Sequence, residues 1–523
     1  MTLALTRRSI VRPSSSPAHR PGVVVYLLAA AVLVATMVPL GYVVYSVYSV
    51  GWAEASELVF RARVADLLGN TVSLVALTVP LAVALGVGLA WLVERTDLPG
   101  ARLWAPVFVV PLAVPAFVNS FAWVSFIPGL HGLPAAVLVS LLSYFPLVYL
   151  PAAAAIRCLD PDLEESARSL GSGSVAVFFR VVLPQLRLAV LGGALLIALH
   201  LLAEYGAFAL IRFDTFTTAI FQQYQSTFAG KAGSMLAAVL VLCCLVLLVS
   251  EAGMRGRLRY ARVGSGSPRP AVRVRLGRFK PLAFAGCGAA VAMSVGVPVW
   301  MVSRWLEMGG IDAWDAESVS AALSQTLSFA LVTALLAIVL AFPIAWLSAR
   351  TRTMFARVAE GSNYVTSSLP GIVTALALVT ISIKTMKPLY QTLTLVVVAY
   401  LLMYLPRGVV ALRSGVAQVP IGLEEASRSL GRGRAWTFLH VTLRLSGPSA
   451  AAGAALVFVA VSTELTATLL LAPAGIRTLS TSFWAYSDEL DYAHAAPFAL
   501  IMILLTLPVT YLLFTQSRKA VTR

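Results

Sequence analysis

The sequence predicts an all-α membrane protein of about twelve transmembrane helices, built as two parallel six-helix repeats. Three observations carry this expectation. The 523 residues are 59% hydrophobic and only 12% charged, against roughly 45–50% apolar and about 25% charged in a soluble domain. Twelve stretches approach the ~20 mostly apolar residues that a span requires: they lie near 23–49, 70–94, 104–127, 133–157, 186–212, 233–251, 281–304, 325–348, 364–383, 389–412, 446–472 and 495–515, six in each half. Finally, one charged loop occurs twice, with Glu165, Gly171 and Leu183 matched by Glu425, Gly431 and Leu443 at a constant offset of 260 (425 less 165, 431 less 171, 443 less 183).

Taken in order, residues 1–22 are rich in Ser, Pro and Arg and read as a disordered basic N-terminus. Arg7 and Arg8 faintly resemble a twin-arginine signal, but the following apolar run is far longer than a signal core of about 7–15 residues, so it reads as an uncleaved first span. The first six-span module covers 23–251, a basic linker with nine Arg or Lys residues covers 252–280, the second module covers 281–515, and 516–523 form a basic tail. Asn70 and Gln325 open corresponding spans, and Trp91 and Trp346, like Pro115 and Pro370, keep an offset of 255; Tyr144 and Tyr404 are at 260, so about five residues were gained between these landmarks. An indel between spans falls where few contacts constrain the backbone.

Six spans return the chain to its starting side, so the second module inserts in the same orientation as the first. Both charged loops then face one compartment, unlike the inverted repeats of many secondary transporters. The net charge of +16 fits orientation better than nucleic acid binding: Arg12, Arg20, Arg95, Arg102, Arg157 and Arg180 fall on one side, and Glu54, Asp66, Glu307, Asp312, Asp488 and Asp491 on the other. The positive-inside rule places the first set, both termini and the linker in the cytoplasm. Contact of the linker with anionic lipid is a secondary reading. Cys158, Cys243, Cys244 and Cys287 form neither a metal-site spacing nor a disulfide framework.

In the repeated loop, Leu163, Ala167 and Leu170 share one helical face, Gly171 turns the chain, and Val175, Phe178, Phe179 and Val182 form a second stripe. Glu164 with Arg168, and Glu424 with Arg428, sit four apart and can pair on the helix surface. That local pairing does not explain the duplication. The loop resembles the cytoplasmic signature of ABC importer permeases, in which Glu-Ala-Ala is followed after three residues by Gly, and after nine more by Ile-x-Leu-Pro. Glu165, Ser166, Ala167, Gly171, Val181, Leu183 and Pro184 fit it, as do Glu425, Ala426, Ser427, Gly431, Val441 and Leu443; Arg444 stands in place of the final proline, which predicts a less sharply turned end to the second loop. The resemblance implies the type I ABC importer permease fold. It also implies that Glu165, Ala167, Gly171, Leu183, Pro184, Glu425, Ala426, Gly431 and Leu443 dock onto ATP-binding subunits, as a homodimer, with an extracytoplasmic solute-binding protein on the other face.

A charged residue near a span's centre costs about 2.5–3.5 kcal/mol on insertion scales and is a functional hypothesis by default. Glu204 and Glu464 are such residues, again 260 apart, and either line a translocation path or pair with polar groups that stabilise the bundle. His200 has no counterpart, since the matched position 460 holds Ala, which favours helix packing over a ligand role. Around these acids, Glu204 to Phe208, Phe216 to Ile220, Glu464 to Leu471, Thr478 to Thr481, Trp484 to Tyr486 and Tyr492 to Pro497 are similar to the ferric-iron branch of fused permeases. The resemblance therefore favours a permease that moves ferric iron across the bacterial cytoplasmic membrane by ATP-driven alternating access. Thiamine, polyamine and phosphonate importers remain the alternatives within the family.

No Gly-x-x-x-x-Gly-Lys-Ser/Thr occurs, so the phosphate cradle for ATP hydrolysis must come from another chain. A membrane enzyme has no His/Asp/Glu cluster to support it, and no cofactor or metal centre is expected. An ion-coupled secondary transporter, with Glu204 or Glu464 titrating, is the competing class; against it, Glu94 to Arg102 lacks the Gly-x-x-x-Asp-Arg-x-Gly loop of the major facilitators.

Overall fold

The computed structural model describes residues 22–227, 230–255, 273–351 and 353–522. The basic N-terminal segment and residues 256–272 of the linker lie outside the described residues. Among the described residues, nine helices are long and apolar enough to cross a membrane, and three sharply bent helix pairs bring the number to twelve. Two of these pairs are matched third spans: Ala101–Ala113 with Ala116–Phe126 turns by 92°, and Met354–Ser367 with Gly371–Thr385 turns by 99°. Pro115 and Pro370 occupy the N-caps after the turns, and a residue without an N–H cannot carry a helical ladder through.

The fifth spans depart from the expectation. The stretches 186–212 and 446–472 are not continuous helices: Arg187–Ala203 stops before Glu204, and Leu443–Ser462 stops two residues before Glu464. Short helices, Gly206–Leu210 and Thr466–Leu471, then resume the path.

Each module has a core of three helices. In the first, Ala62–Arg95, Pro146–Cys158 and Arg187–Ala203 pack together; in the second, Ala316–Arg350, Leu393–Gln418 and Leu443–Ser462 do so. Lipid tails are as apolar as the helices, so tight association depends on close backbone approach at small residues. A Cβ on Gly193 would lie 2.8 Å from the Leu147 carbonyl oxygen; Gly453, its counterpart at offset 260, faces the Ala411 Cβ at 2.9 Å.

The modules interlock through their first spans. Ala29 and Val32 of Val23–Val50 join a buried cluster with Ala341, Phe342, Ala345 and Leu412 of the second module. Reciprocally, Cys287 and Ala290 pack among Phe108, Phe145 and Tyr149 of the first. The described end of the linker is clipped down beside that exchange: Val274 pairs with Thr96 in a parallel bridge, and Lys280 Nζ lies 2.8 Å from Asp97 Oδ2. The Leu276 N–H, ahead of Lys280, holds the Asp97 carboxyl below its usual range.

Helix Ala62–Arg95 gives an internal test of this packing. A Cβ at Gly86 would sit 3.0 Å from both the Phe145 carbonyl oxygen and the Tyr149 nitrogen, whereas one at Gly88 meets nothing within 4 Å. We expect Gly86→Ala to destabilise by about 1–3 kcal/mol through overpacking, and Gly88→Ala to be neutral or stabilising by about 0.5–1 kcal/mol through its lower helix cost. Thermal unfolding of the detergent-solubilised protein measures both, and equal midpoints for the two variants would contradict the packing described.

Candidate coupling loops and central helix breaks

Both loops begin with a nine-residue helix, Pro161–Ser169 and Ile421–Ser429. Asp160 caps the first by accepting from the Asp162 N–H at 3.1 Å. Each helix then ends at a left-handed glycine, Gly171 at φ 85° and Gly431 at φ 79°. In the first copy the Gly171 N–H donates to the Arg168 carbonyl and Ser172 to Ala167; in the second, Gly431 donates to Arg428 and Arg432 to Ser427. This is the Schellman closure, which satisfies the last helical carbonyls only when the residue after the cap takes positive φ. Nothing lies within 4 Å of a Cβ built on either glycine, so backbone conformation alone dictates the residue.

A single π-helical turn follows in each copy, Phe178–Val182 and Phe438–Thr442. The chain then re-enters the bundle differently in the two halves. Val175–Gln185 meets Arg187–Ala203 at 70°, while Arg434–Ser462 runs as one helix. The gentler second elbow expected from Arg444 in place of Pro184 is what the structure has.

Glu165 and Glu425 are exposed, Ala426 is exposed, and Ala167, Leu183 and Leu443 are half-buried. The expected apolar face of the loop helices lies open: Leu163 is 44% and Leu170 86% exposed, with Leu423 and Leu430 at 48% and 80% in the second copy. In the second stripe Val182 is buried, but Val175 and Phe179 are exposed.

The neighbouring acids carry an interaction that sequence reasoning missed. Glu164 does meet Arg168, at 3.4 Å, but its other oxygen lies 3.0 Å from Nη2 of Arg95, the last residue of the second span, and both side chains are over nine-tenths buried. Glu424 repeats this with Arg350: Nη2 donates to Oε1 at 2.8 Å and to the Val419 carbonyl at 2.9 Å, and Thr442 donates to the same Oε1 at 3.0 Å. In the first copy the ions touch without in-line hydrogen-bond geometry. Each loop helix is thus pinned to the C-terminal end of its module's second span.

At the centre of the bundle, Glu204 and Glu464 sit at the fifth-span breaks. Glu204 Oε1 accepts from the Ala207 N–H at 3.0 Å, and Oε2 accepts from the Tyr144 hydroxyl at 2.8 Å. Glu464 accepts from the Ala467 N–H at 2.9 Å and from the Tyr404 hydroxyl. The carbonyls released by the breaks are also sealed: Thr217 donates to Glu204 O at 2.5 Å, and Ser480 to Glu464 O at 2.6 Å. Within a bilayer, irregular backbone persists only where such partners or a water-lined space exist.

The breaks also meet one another. A Cβ on Gly206 would strike Leu465 Cδ2 at 2.7 Å and Phe117 Cβ at 3.0 Å, and one on Gly371 would approach Glu464 Oε1 at 3.7 Å. Both carboxylates are only half-buried. His200 bonds the Leu196 carbonyl at 2.8 Å and packs its ring 5.4 Å from Tyr144.

Residues 48–253 and 316–520 each match the family profile of the binding-protein-dependent transport system inner membrane component. The chain belongs to that family. It is therefore a membrane permease subunit of a binding-protein-dependent ABC transporter, carrying the permease domain twice. It is 36% identical over 469 residues to a Fe(3+)-transport system permease protein of Haemophilus influenzae, covering 89% of this chain and 93% of that one. A ferric transport system permease protein of Actinobacillus pleuropneumoniae is 22% identical, over 73% of this chain and 58% of its own. A sulfate transport system permease protein of Synechocystis is 28% identical across 34% of this permease and 72% of its own length.

The caps make a distinction between charge and shape. Glu204→Ala or Glu464→Ala orphans a helix N–H and a tyrosine hydroxyl, at about 1–3 kcal/mol for each buried group. Gln keeps an acceptor for the N–H and can donate to the tyrosine oxygen. We expect the Ala variants of the permease to show a lowered unfolding midpoint and reduced yield, and the Gln variants to remain near wild type. Ala and Gln variants of equal stability would contradict the capping role.

Proposed function

We propose that this permease moves ferric iron inward across the bacterial cytoplasmic membrane. The observation that carries the solute assignment is its 36% identity, over nearly the full length of both chains, to a permease named for Fe(3+) transport. Sulfate permeases match only one module's worth of the chain.

In this reading the loops around Glu165 to Pro184 and Glu425 to Leu443 dock onto a homodimer of ATP-binding subunits. Two related loops of one chain offer that dimer two equivalent footholds, and the open Leu163, Leu170, Leu423 and Leu430 give each an apolar contact to bury. Both termini and the 252–280 linker lie with the loops in the cytoplasm, with the two modules spanning 23–251 and 281–515. A solute-binding protein delivers iron to the opposite face. ATP-driven closure of the partner subunits shifts the loop helices; through Arg95 and Arg350 that shift reaches the second spans, and through the elbows at 183–187 and 443–446 it reaches the fifth spans that carry Glu204 and Glu464. These acids border the path, with the four helix breaks acting as the region that opens alternately to each side.

Proteoliposomes holding the permease with its ATPase, supplied externally with the binding protein and radiolabelled ferric iron, test the assignment. We expect iron accumulation that requires ATP, and none of labelled sulfate or thiamine. Accumulation of either of those in place of iron would overturn the solute, while leaving the permease class intact.

A further inference from the structure

One charge in the membrane region is used by neither the loops nor the caps. Arg407 lies near the middle of helix Leu393–Gln418, three residues and so about 4.5 Å of helix rise beyond Tyr404 toward the cytoplasmic loop. It is exposed, although its neighbours Pro406 and Gly408 are buried. Its guanidinium stands 5.0 Å over the Tyr404 ring, and among the described residues it has no ion pair or hydrogen bond.

The direction it faces follows from its neighbours. Tyr404, whose ring it covers, donates its hydroxyl to Glu464, and Met403, one turn before Arg407 on the same helical face, lies against Gly371 beside that carboxylate. The exposed side chain therefore stands by the central breaks, where Leu465 meets Gly206 of the first module, rather than on the lipid side. The nearby carboxylate of Glu464 is already committed to the Ala467 N–H and the Tyr404 hydroxyl, so it does not serve as a close counter-ion. Nor is Arg407 part of the duplicated scaffold, since the matched position (407 less 260) holds Leu147. A lone arginine retained at such depth, where charge is costly, marks a path or a ligand. The guanidinium fork matches carboxylate and phosphate oxygens.

We infer that Arg407 binds an oxyanion that travels with the metal, so that the solute crosses as an oxyanion-ligated ferric complex rather than as the bare cation. A bare trivalent cation would be repelled at this point. A complex with carboxylate or phosphate ligands presents anionic oxygens to Arg407 and cationic character to the acid pair, and the unpaired fork supplies hydrogen bonds on one side only, from the second module. This inference rests on the ferric-iron reading above.

The test uses the assembled transporter in proteoliposomes of zwitterionic lipid, with radioactive iron supplied in two arms, as the complex with carbon-labelled citrate and as the complex with labelled phosphate. We expect the oxyanion label of at least one arm to enter with iron in wild type. Arg407→Gln should lower iron uptake per permease in the membrane by about tenfold or more, the loss of one charge-assisted contact, and Arg407→Lys should recover part of it. Iron entering without either label would overturn the inference, and so would wild-type uptake by Arg407→Gln. A defect in Arg407→Gln that appears only when anionic lipid is added would assign Arg407 to lipid and overturn it equally. If wild type takes up no iron in either arm, the ferric reading itself fails and the inference falls with it.

Discussion

The buried ion pairs Arg95 with Glu164 and Arg350 with Glu424 are the constraint on which the placement of both repeated loops depends. Taking two charges out of water costs several kcal/mol per ion, and their attraction offsets this only with good geometry and further hydrogen bonds. Glu424 has these: Arg350, Thr442 and Arg428 surround it, and Arg350 also reaches the Val419 carbonyl. Pairing of this kind contributes little net stability compared with apolar packing. What it supplies is geometry, because the loop helix can hold only the position in which its acid meets the arginine. A long second span, Ala62–Arg95 or Ala316–Arg350, thereby becomes the lever to which each loop is fixed.

The duplicated frame is complete in the caps and incomplete where the two halves must differ. Tyr144 with Glu204, and Tyr404 with Glu464, repeat to the residue, as do the Schellman glycines and the π-helical turns. Pro184 against Arg444 changes one elbow, Leu147 against Arg407 places a charge in one module, and Asp97 with Lys280 straps the described end of the linker to the first module. A fused chain is free to diverge in this way, because its two halves always occupy fixed and different places in the assembly.

The repeated loops, the parallel modules and the positive φ at Gly171 and Gly431 were legible in the sequence, because spacing and turn chemistry are local. The Arg95 to Glu164 pair was not: its members are 69 residues apart (164 less 95) and belong to different elements, while Arg168, four residues from Glu164, offered a sufficient local partner. The same limit hid Tyr144 as the partner of Glu204 at a separation of 60, although both tyrosines stood out as repeat landmarks. The fifth-span breaks were missed for another reason. Apolar residues flank Glu204 and Glu464 on both sides, so hydropathy reads through them, whereas the acid accepts the N–H at the start of the next short helix and so ends the first. Arg407 was overlooked inside an apolar window that one charge hardly lowers.

The buried ion pair is placed to make the loop and the second span move as one body. A double-mutant cycle on Arg350→Met and Glu424→Gln in the reconstituted transporter, read as solute imported per ATP hydrolysed, tests this most directly. If the pair transmits the motion, each single variant lowers that ratio strongly and the double variant is no worse than either single, a coupling of about 0.5–3 kcal/mol. Additive losses, or single variants that import as much solute per ATP as wild type, would contradict it.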